Sequence, residues 1–384
     1  MVKGLNLHGY KTGMRVGVNV RLLLNENMEG IPRYIYETTQ QMALSHPEDE
    51  FILFFDRKVN VDFGFPLNVK AVIVPWHARH PVLWHFWFEY MLPLFFRWYK
   101  IDVFYSGDGY LSLRSKVPAV LVMHDLAYQH YPEHVQSASL RHYRKYVPRY
   151  LSKAASVIAV SHFVKNDIIT QMGIDKEKIK VAYNAVRDNI SLGVLDEMPW
   201  RINEKIAGKP YFLYIGALQP RKNIARLIKA FELFSSGKEG QYKLVIAGRL
   251  AWKTEEIAEA IMHSPDVIYT GMVSEPIKYK LISGAMAVTY ISLFEGFGIP
   301  LLEAMKMGTP VITSSVTSMP EVAGEAALLI DPTSVEDIAQ AMSKMADNED
   351  LRNALASKGL ERYKFFSWEK SAEIIYDELK GLML

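Results

Sequence analysis
The chain is 384 residues long, beyond the size at which one hydrophobic core keeps growing, so two domains are expected. Its 49% hydrophobic and 22% charged residues are those of a globular protein, and a formal net charge of +2 gives no electrostatic case for a nucleic-acid partner. It contains no cysteine, which excludes disulfides and thiolate metal sites.

Residues 1–13, MVKGLNLHGYKTG, lack the apolar centre of a signal peptide and read as a short disordered or tag-like leader. No apolar run approaches the roughly 20 residues that span a bilayer, so a soluble, cytoplasmic protein is expected. Short β-branched runs then alternate with longer amphipathic stretches. In the first half the strand candidates are residues 15–20, 51–55, 71–74, 103–105, 119–123, 156–160 and 180–183. In the second half they are 211–215, 242–247, 267–269, 287–291, 310–313 and 327–330. The alternation predicts βαβ units, and the near-continuous apolarity predicts parallel strands covered on both faces.

From Trp76 to Lys100 the chain is dense in aromatics, with cations among them. Trp84, Trp87, Phe88, Phe95 and Trp98 allow two readings: a face at a membrane interface or against a lipid-linked acceptor, or a buried helix of the first domain. The periodicity fades between Asn184 and Lys209. The tail from residue 367 has Trp368, Ile374, Ile375 and Leu379 on one helical face. The fold class predicted is α/β, two Rossmann-like doubly wound domains facing a central cleft. Its parts are 14–190, a linker 191–209, a second domain 210–365, and a terminal helix 366–384 packing back toward the first domain.

The strongest local signal is FEGFGIPLLEAMKMGTPVITSS. Glu295 stands in a loop before a helix and Glu303 about one turn inside it, with Pro300 suited to the helix start. Gly296 and Gly298 let backbone approach a ligand closely, and the free N–H groups of a helix start suit a diphosphate. Glu303 has the chemistry to accept hydrogen bonds from ribose hydroxyls. Upstream, a strand runs into GALQPRKN, where Gly216, Arg221 and Lys222 open a helix. Two cations at a helix start repel its dipole unless an anion binds there.

The FEGFGIPLLEA string resembles the signature of glycosyltransferase family 4, and GTPVITSSVTSMPEVAGEAALLIDP is similar to its usual continuation. The likeness extends from Met14 to the last helix. It implies the GT-B fold, with an amino-terminal acceptor domain and a carboxyl-terminal nucleotide-sugar domain, and transfer that retains anomeric configuration. It implies that Glu295 contacts the donor sugar and Glu303 the ribose, and that the backbone of Phe297, Gly298 and Ile299 meets the donor. It puts the diphosphate-binding Arg and Lys in the Gly216 loop. The family's commonest form has arginine directly after the glycine; here Ala217 stands there, so Arg221 is the candidate guanidinium beside Lys222.

In the amino half, NENMEGIPRYIYE has Gly30 before a helix. It is not the glycine fingerprint of a dehydrogenase, and it resembles the family's first glycine loop, with Glu29 where relatives often carry a second glycine. The strand 119–123 ends in HDLAY, so His124 and Asp125 lie where open α/β sheets bind ligands. The resemblance puts His124 beside the reacting sugar, with Asp125, Ser161 and His162 as weaker lining candidates. Asn184 and Ala185 depart from the family's Asn-Gly.

The reaction expected is metal-independent hexosyl transfer from a nucleotide sugar, GDP-mannose ahead of UDP-sugars, with no cofactor and no Asp-x-Asp metal motif. The expected acceptor is a saccharide or lipid-linked saccharide of cell-surface polysaccharide synthesis, reached at the inner face of the membrane if the aromatic segment touches lipid. Alternatives are a UDP-sugar-dependent glucosyl- or N-acetylglucosaminyltransferase and a non-catalytic sugar-nucleotide binding subunit. A glycoside hydrolase would share the acid pair without needing the basic loop.

Overall fold
A computed structural model describes residues 13–24, 28, 30–78, 81–187, 200–252 and 254–383. The leader 1–12, Glu29 and the linker centre 188–199 lie outside the described residues.

Among the described residues the first sheet has seven strands: β1 (Arg15–Asn19), β2 (Glu50–Phe55), β3 (Val69–Ile73), β4 (Val103–Ser106), β5 (Ala119–Met123), β6 (Ser156–Ala159) and β7 (Ile179–Val181). Their order is β3-β2-β1-β4-β5-β6-β7, all parallel. The second has six: β8 (Tyr211–Ile215), β9 (Lys243–Ala247), β10 (Val267–Gly271), β11 (Ala287–Tyr290), β12 (Val311–Ser314) and β13 (Leu328–Ile330). Their order is β10-β9-β8-β11-β12-β13, again parallel. Central strands such as β5 and β8 are buried at every residue, because helices cover both faces of each sheet.

In both sheets the strand order reverses once, between β1 and β4 and between β8 and β11. At such a reversal the loops leave the carboxyl ends in opposite directions and open a crevice. The loops after β1, β4, β8 and β11 are therefore the ones the topology assigns to ligands. They carry Gly30, Asp108, Lys222 and Glu295 respectively.

The segment from Trp76 to Lys100 resolves the earlier ambiguity mostly toward the core. Helix Pro81–Phe86 passes through a π turn, Trp87–Met91, into helix Leu92–Tyr99. Trp84, Trp87, Phe88 and Phe95 are buried, and of the five aromatics proposed for a membrane face only Trp98 is exposed. The wider π turn rotates the helix, and the buried Glu89 holds it by accepting the N–H groups of Leu113 (3.1 Å) and Arg114 (3.0 Å). Those five rings therefore do not share one face.

Residues 200–206, inside the expected linker, form a helix beside β10. The terminal helix Trp368–Gly381 lies on helix Ile31–Ser45 of the first lobe. There the Trp368 ring meets Tyr34 at 5.7 Å, and the Tyr376 hydroxyl donates to Asp49 Oδ2 at 2.7 Å.

Candidate active site
The loop after β11 brings Glu295 beneath the loop after β8. The Lys222 ammonium donates to Glu295 Oε1 and, at 2.6 Å, to the Tyr290 hydroxyl, which itself donates to Glu295 Oε1 at 3.1 Å. Arg221 Nη1 donates to Glu295 Oε2 at 3.3 Å and to the Phe294 carbonyl. Burial by itself would raise the Glu295 carboxyl; Lys222 and Arg221 outweigh it and hold the group ionised, at about 2. Burial draws the Lys222 ammonium below its usual range, against the pull of Glu295. Lys222 has three N–H groups, and among the described residues two are used, which leaves one for an anion in the cleft.

The sequence reading treats Arg221 and Lys222 as a convergent pair, and both donate to the Glu295 carboxylate, one to each oxygen, while lining different cavities. Lys222 lines the cleft that Glu303 also lines, whereas Arg221, bonded to the other oxygen of Glu295, lines a second cavity. The reason is local: after Pro220 the chain makes one short turn, Pro220–Lys222, so consecutive side chains diverge.

Helix Ile299–Lys306 begins at Gly298, whose φ of 105° suits glycine and where a Cβ would meet the Met319 methyl at 2.5 Å. Its first turn points at the cleft with Ile299 and Pro300 on the lining. One turn on, Glu303 is nearly buried; its Oε1 accepts from Lys278 Nζ at 2.6 Å and Tyr279 Oη at 3.4 Å. Oε2 has no partner among the described residues and is the oxygen left for a ligand hydroxyl. Gly216, with φ 142°, lines the same cleft where the β8 and β9 loops touch. The whole cleft is about 430 Å³ and takes walls from both lobes.

On the amino-terminal side, Gly30 caps helix Ile31–Ser45 with φ 58° and ψ −121°, a conformation that only glycine adopts without strain, and the space around it is open. His124 follows β5. Its Nε2 is 2.8 Å from the Gly107 carbonyl oxygen, which only accepts, so Nε2 carries the proton and Nδ1 is the acceptor of the neutral ring. Burial lowers the His124 pKa, keeping the ring uncharged near neutrality. Asp125 lines the cleft and caps the next turn through the Ala127 N–H at 3.0 Å.

Ser161 departs from its sequence-level assignment as an acceptor-side residue. It is fully buried, donates to the Gly296 carbonyl at 2.7 Å and accepts from the Val164 N–H at 3.1 Å, so it joins the two lobes instead of facing a ligand. His162 is also tied across the lobes, by its backbone N–H to Glu321 Oε1 at 2.7 Å. Gly296 completes this seam: a Cβ there would lie 1.7 Å from the His124 carbonyl oxygen. Phe297 is buried against Tyr183 and Phe366, so its backbone alone faces the cleft.

Several cleft residues have no sequence signal. Lys278, Arg249, Arg33 and Arg187 all line it. Arg33 and Arg187 pair across the lobes with Glu275, at 3.6 and 2.6 Å. Arg249 is exposed next to Gly216 and Ala217, where the usual arginine of the β8 loop is missing. A lone lysine or arginine in a helix or loop carries no pattern, so only the fold reveals them.

Two Rossmann-like lobes, each with its strand-order reversal facing a shared cleft, make this a GT-B fold. A sucrose-phosphate synthase from Thermosynechococcus elongatus has the same architecture, with a TM-score of 0.73 at 16% identity, covering 96% of this chain and 99% of that one. Residues 28–189 match the model for Glycosyltransferase Family 4, and residues 199–362 match that for Glycosyl transferases group 1. O-antigen chain mannosyltransferase B of Escherichia coli is 28% identical over 89% of this chain and 93% of its own. O-antigen chain mannosyltransferase RfbU of Salmonella typhimurium is 30% identical over 64% of this chain and 65% of its own. The chain belongs to glycosyltransferase family 4 and is a glycosyltransferase.

Proposed function
We propose that the protein transfers a mannosyl residue from a nucleoside diphosphate sugar, GDP-mannose ahead of UDP-sugars, to a saccharide acceptor in cell-surface polysaccharide assembly. The transfer retains anomeric configuration and uses no metal. The observation that carries this reading is the cleft between the lobes. Lys222, Glu295 and Glu303 all line it, and the helix start at Ile299 lies on its wall. The names of the two O-antigen relatives support mannose as the sugar.

In this reading Glu303 Oε2 accepts from the ribose, and the first turn at Ile299 donates to the diphosphate. As the glycosidic bond breaks, its electron pair stays on the phosphate oxygen, and the remaining N–H of Lys222 neutralises the charge growing there. Glu295 is ionised at every working pH and accepts from sugar hydroxyls. His124 offers Nδ1 as an acceptor from the opposite lobe. The acceptor hydroxyl attacks from the face the diphosphate leaves, and its proton passes to a phosphate oxygen. The seam at Gly296 and Ser161 keeps the lobes close, which limits water near the reacting carbon.

A peripheral lipid contact has narrower support than the sequence suggests. Tyr90, Leu94 and Trp98 recur every four residues on the exposed side of the aromatic segment, with Arg97 and Lys100 beside them. No described helix is long and apolar enough to cross a membrane. Co-sedimentation with anionic vesicles that is lost in Trp98→Glu would support this contact.

The central test is thermal stabilisation by GDP and by UDP, each with excess EDTA. A shift with GDP that survives chelation is expected. Binding abolished by EDTA would end the metal-free mechanism, and a shift with UDP alone would reassign the donor.

A further inference from the structure
Beside the donor cleft lies a second cavity of about 440 Å³, within the roughly 300–1,000 Å³ of small-molecule sites. It shares His124, Asp125, Gln219 and Arg221 with the rim of the donor cleft or the Lys222 turn, so a ligand held there meets the reacting centre. Its walls are mainly rings. Tyr110, Tyr128, Tyr131 and Tyr143 come from the amino-terminal lobe and Trp252 from the other. The Trp252 indole N–H donates to the His134 carbonyl at 2.7 Å and closes the outer end across the lobes.

The charges around this cavity are already matched. Asp108 accepts from Arg21 Nε at 2.7 Å and Asn19 Nδ2 at 2.8 Å, and the Arg21 guanidinium lies 4.8 Å from the Tyr110 ring centre. Arg221 is held by Glu295 and the Phe294 carbonyl. Among the described lining residues no other Lys or Arg appears, while Asp125 and the Arg21-bonded Asp108 both line the cavity. A phosphate there meets carboxylates and no uncommitted lysine or arginine. Its anchorages are the start of helix Ser137–Lys153, which has no side-chain cap, and the His134 ring, whose Nδ1 has no partner among the described residues. A pyranose suits the cavity better: its C–H face packs on aromatic rings and its hydroxyls reach Asp125, Gln136 and Ser139.

We infer that this cavity is the acceptor subsite and that it takes the terminal sugar of the acceptor as a neutral pyranoside, selecting against a phosphorylated sugar. The inference rests on the glycosyl-transfer reading above and adds the chemistry of the acceptor. A lipid or polymer at the reducing end extends out past Trp252, so only the accepting residue is constrained.

The test measures nucleoside diphosphate release at saturating GDP-mannose with methyl α-mannopyranoside and with mannose 6-phosphate as acceptors. Acceptor-independent donor hydrolysis and GDP binding are followed in parallel. The neutral glycoside is expected to saturate, with kcat/KM about ten-fold or more above that of the phosphorylated sugar. Tyr143→Ala and Tyr131→Ala should each raise the acceptor KM about ten-fold with the GDP-induced stabilisation unchanged, and Tyr143→Phe should restore it. Should Tyr143→Ala fail to fold, Tyr131→Ala carries the comparison. Preference for mannose 6-phosphate, or unchanged KM in folded Tyr variants, overturns the inference while intact GDP binding leaves the donor reading standing. Loss of GDP binding in the unaltered protein instead overturns the donor reading itself.

Discussion
The two halves of the interlobe cleft are built from different materials. The donor half is ionic, with Lys222, Glu295, Lys278 and Glu303 bonded in short contacts on loops fixed by glycine and helix starts. The acceptor half is a ring-lined chamber whose guanidinium, Arg221, is held by Glu295 and whose Asp108 is held by Arg21. The difference follows from what each half meets. A diphosphate has the same charge in every donor, so fixed ions serve it, whereas a sugar offers C–H faces and hydroxyls that rings and scattered polar groups read.

The comparison breaks first at Lys222. Lys222→Met should lower kcat about 10²–10³-fold with the acceptor KM little changed, because the N–H facing the leaving group is lost. A loss confined to a raised acceptor KM would instead mean that the two halves are not separate. Next comes the seam. Gly296→Ala forces a Cβ against the His124 carbonyl, and displacement of the lobes by about 1 Å should cost on the order of 10²-fold in kcat/KM for donor and acceptor alike. Wild-type kinetics in this variant would show that the seam does not set the geometry.

Lys278→Met should act more narrowly, raising the donor KM about ten-fold by releasing Glu303 Oε1, with kcat nearly retained. An equal loss with every nucleotide, including one that lacks the ribose hydroxyls, would refute the ribose contact. The smallest effect expected is that of pH near neutrality. The Glu295 pKa is depressed from 4.5 to about 2, so its stabilisation is complete above about pH 4.5 and is lost as the pH falls toward 2. His124 is also depressed, so below its ordinary value of about 6.5 the unfolded chain binds a proton that the folded one does not, and stability declines on that side. Between about pH 7 and 8 neither group titrates, and a melting temperature that moved there would point to another residue.

Much of this was legible beforehand, for identifiable reasons. Each of the thirteen strands among the described residues overlaps a run of apolar residues, because a strand buried on both faces has to be apolar throughout; the edge strand β3, exposed at Lys70, Ala71 and Ile73, keeps only part of that pattern. Glu295, Gly298 and Glu303 fall within one continuous string, and short spacing across a loop and helix start preserves their relation in space. The aromatic segment misled because composition reports how apolar a helix is and not which side faces the core. The π turn at Trp87–Met91, held by Glu89, made that choice. Ser161 misled in the same way: its place after β6 is correct for a cleft, but the opposite lobe occupies that position.

The sequence by itself determined the two parallel sheets, the acid pair and the lysine of the second lobe, because these depend on local periodicity and on neighbours within one loop. Only the tertiary structure decided that Arg221 and Lys222 line different cavities, that Lys278 and Arg249 line the donor cleft, and that tyrosines from three stretches of chain meet Trp252 around one cavity. Those are relations between distant segments. They are fixed by how the lobes pack against each other, and no spacing along the chain encodes them.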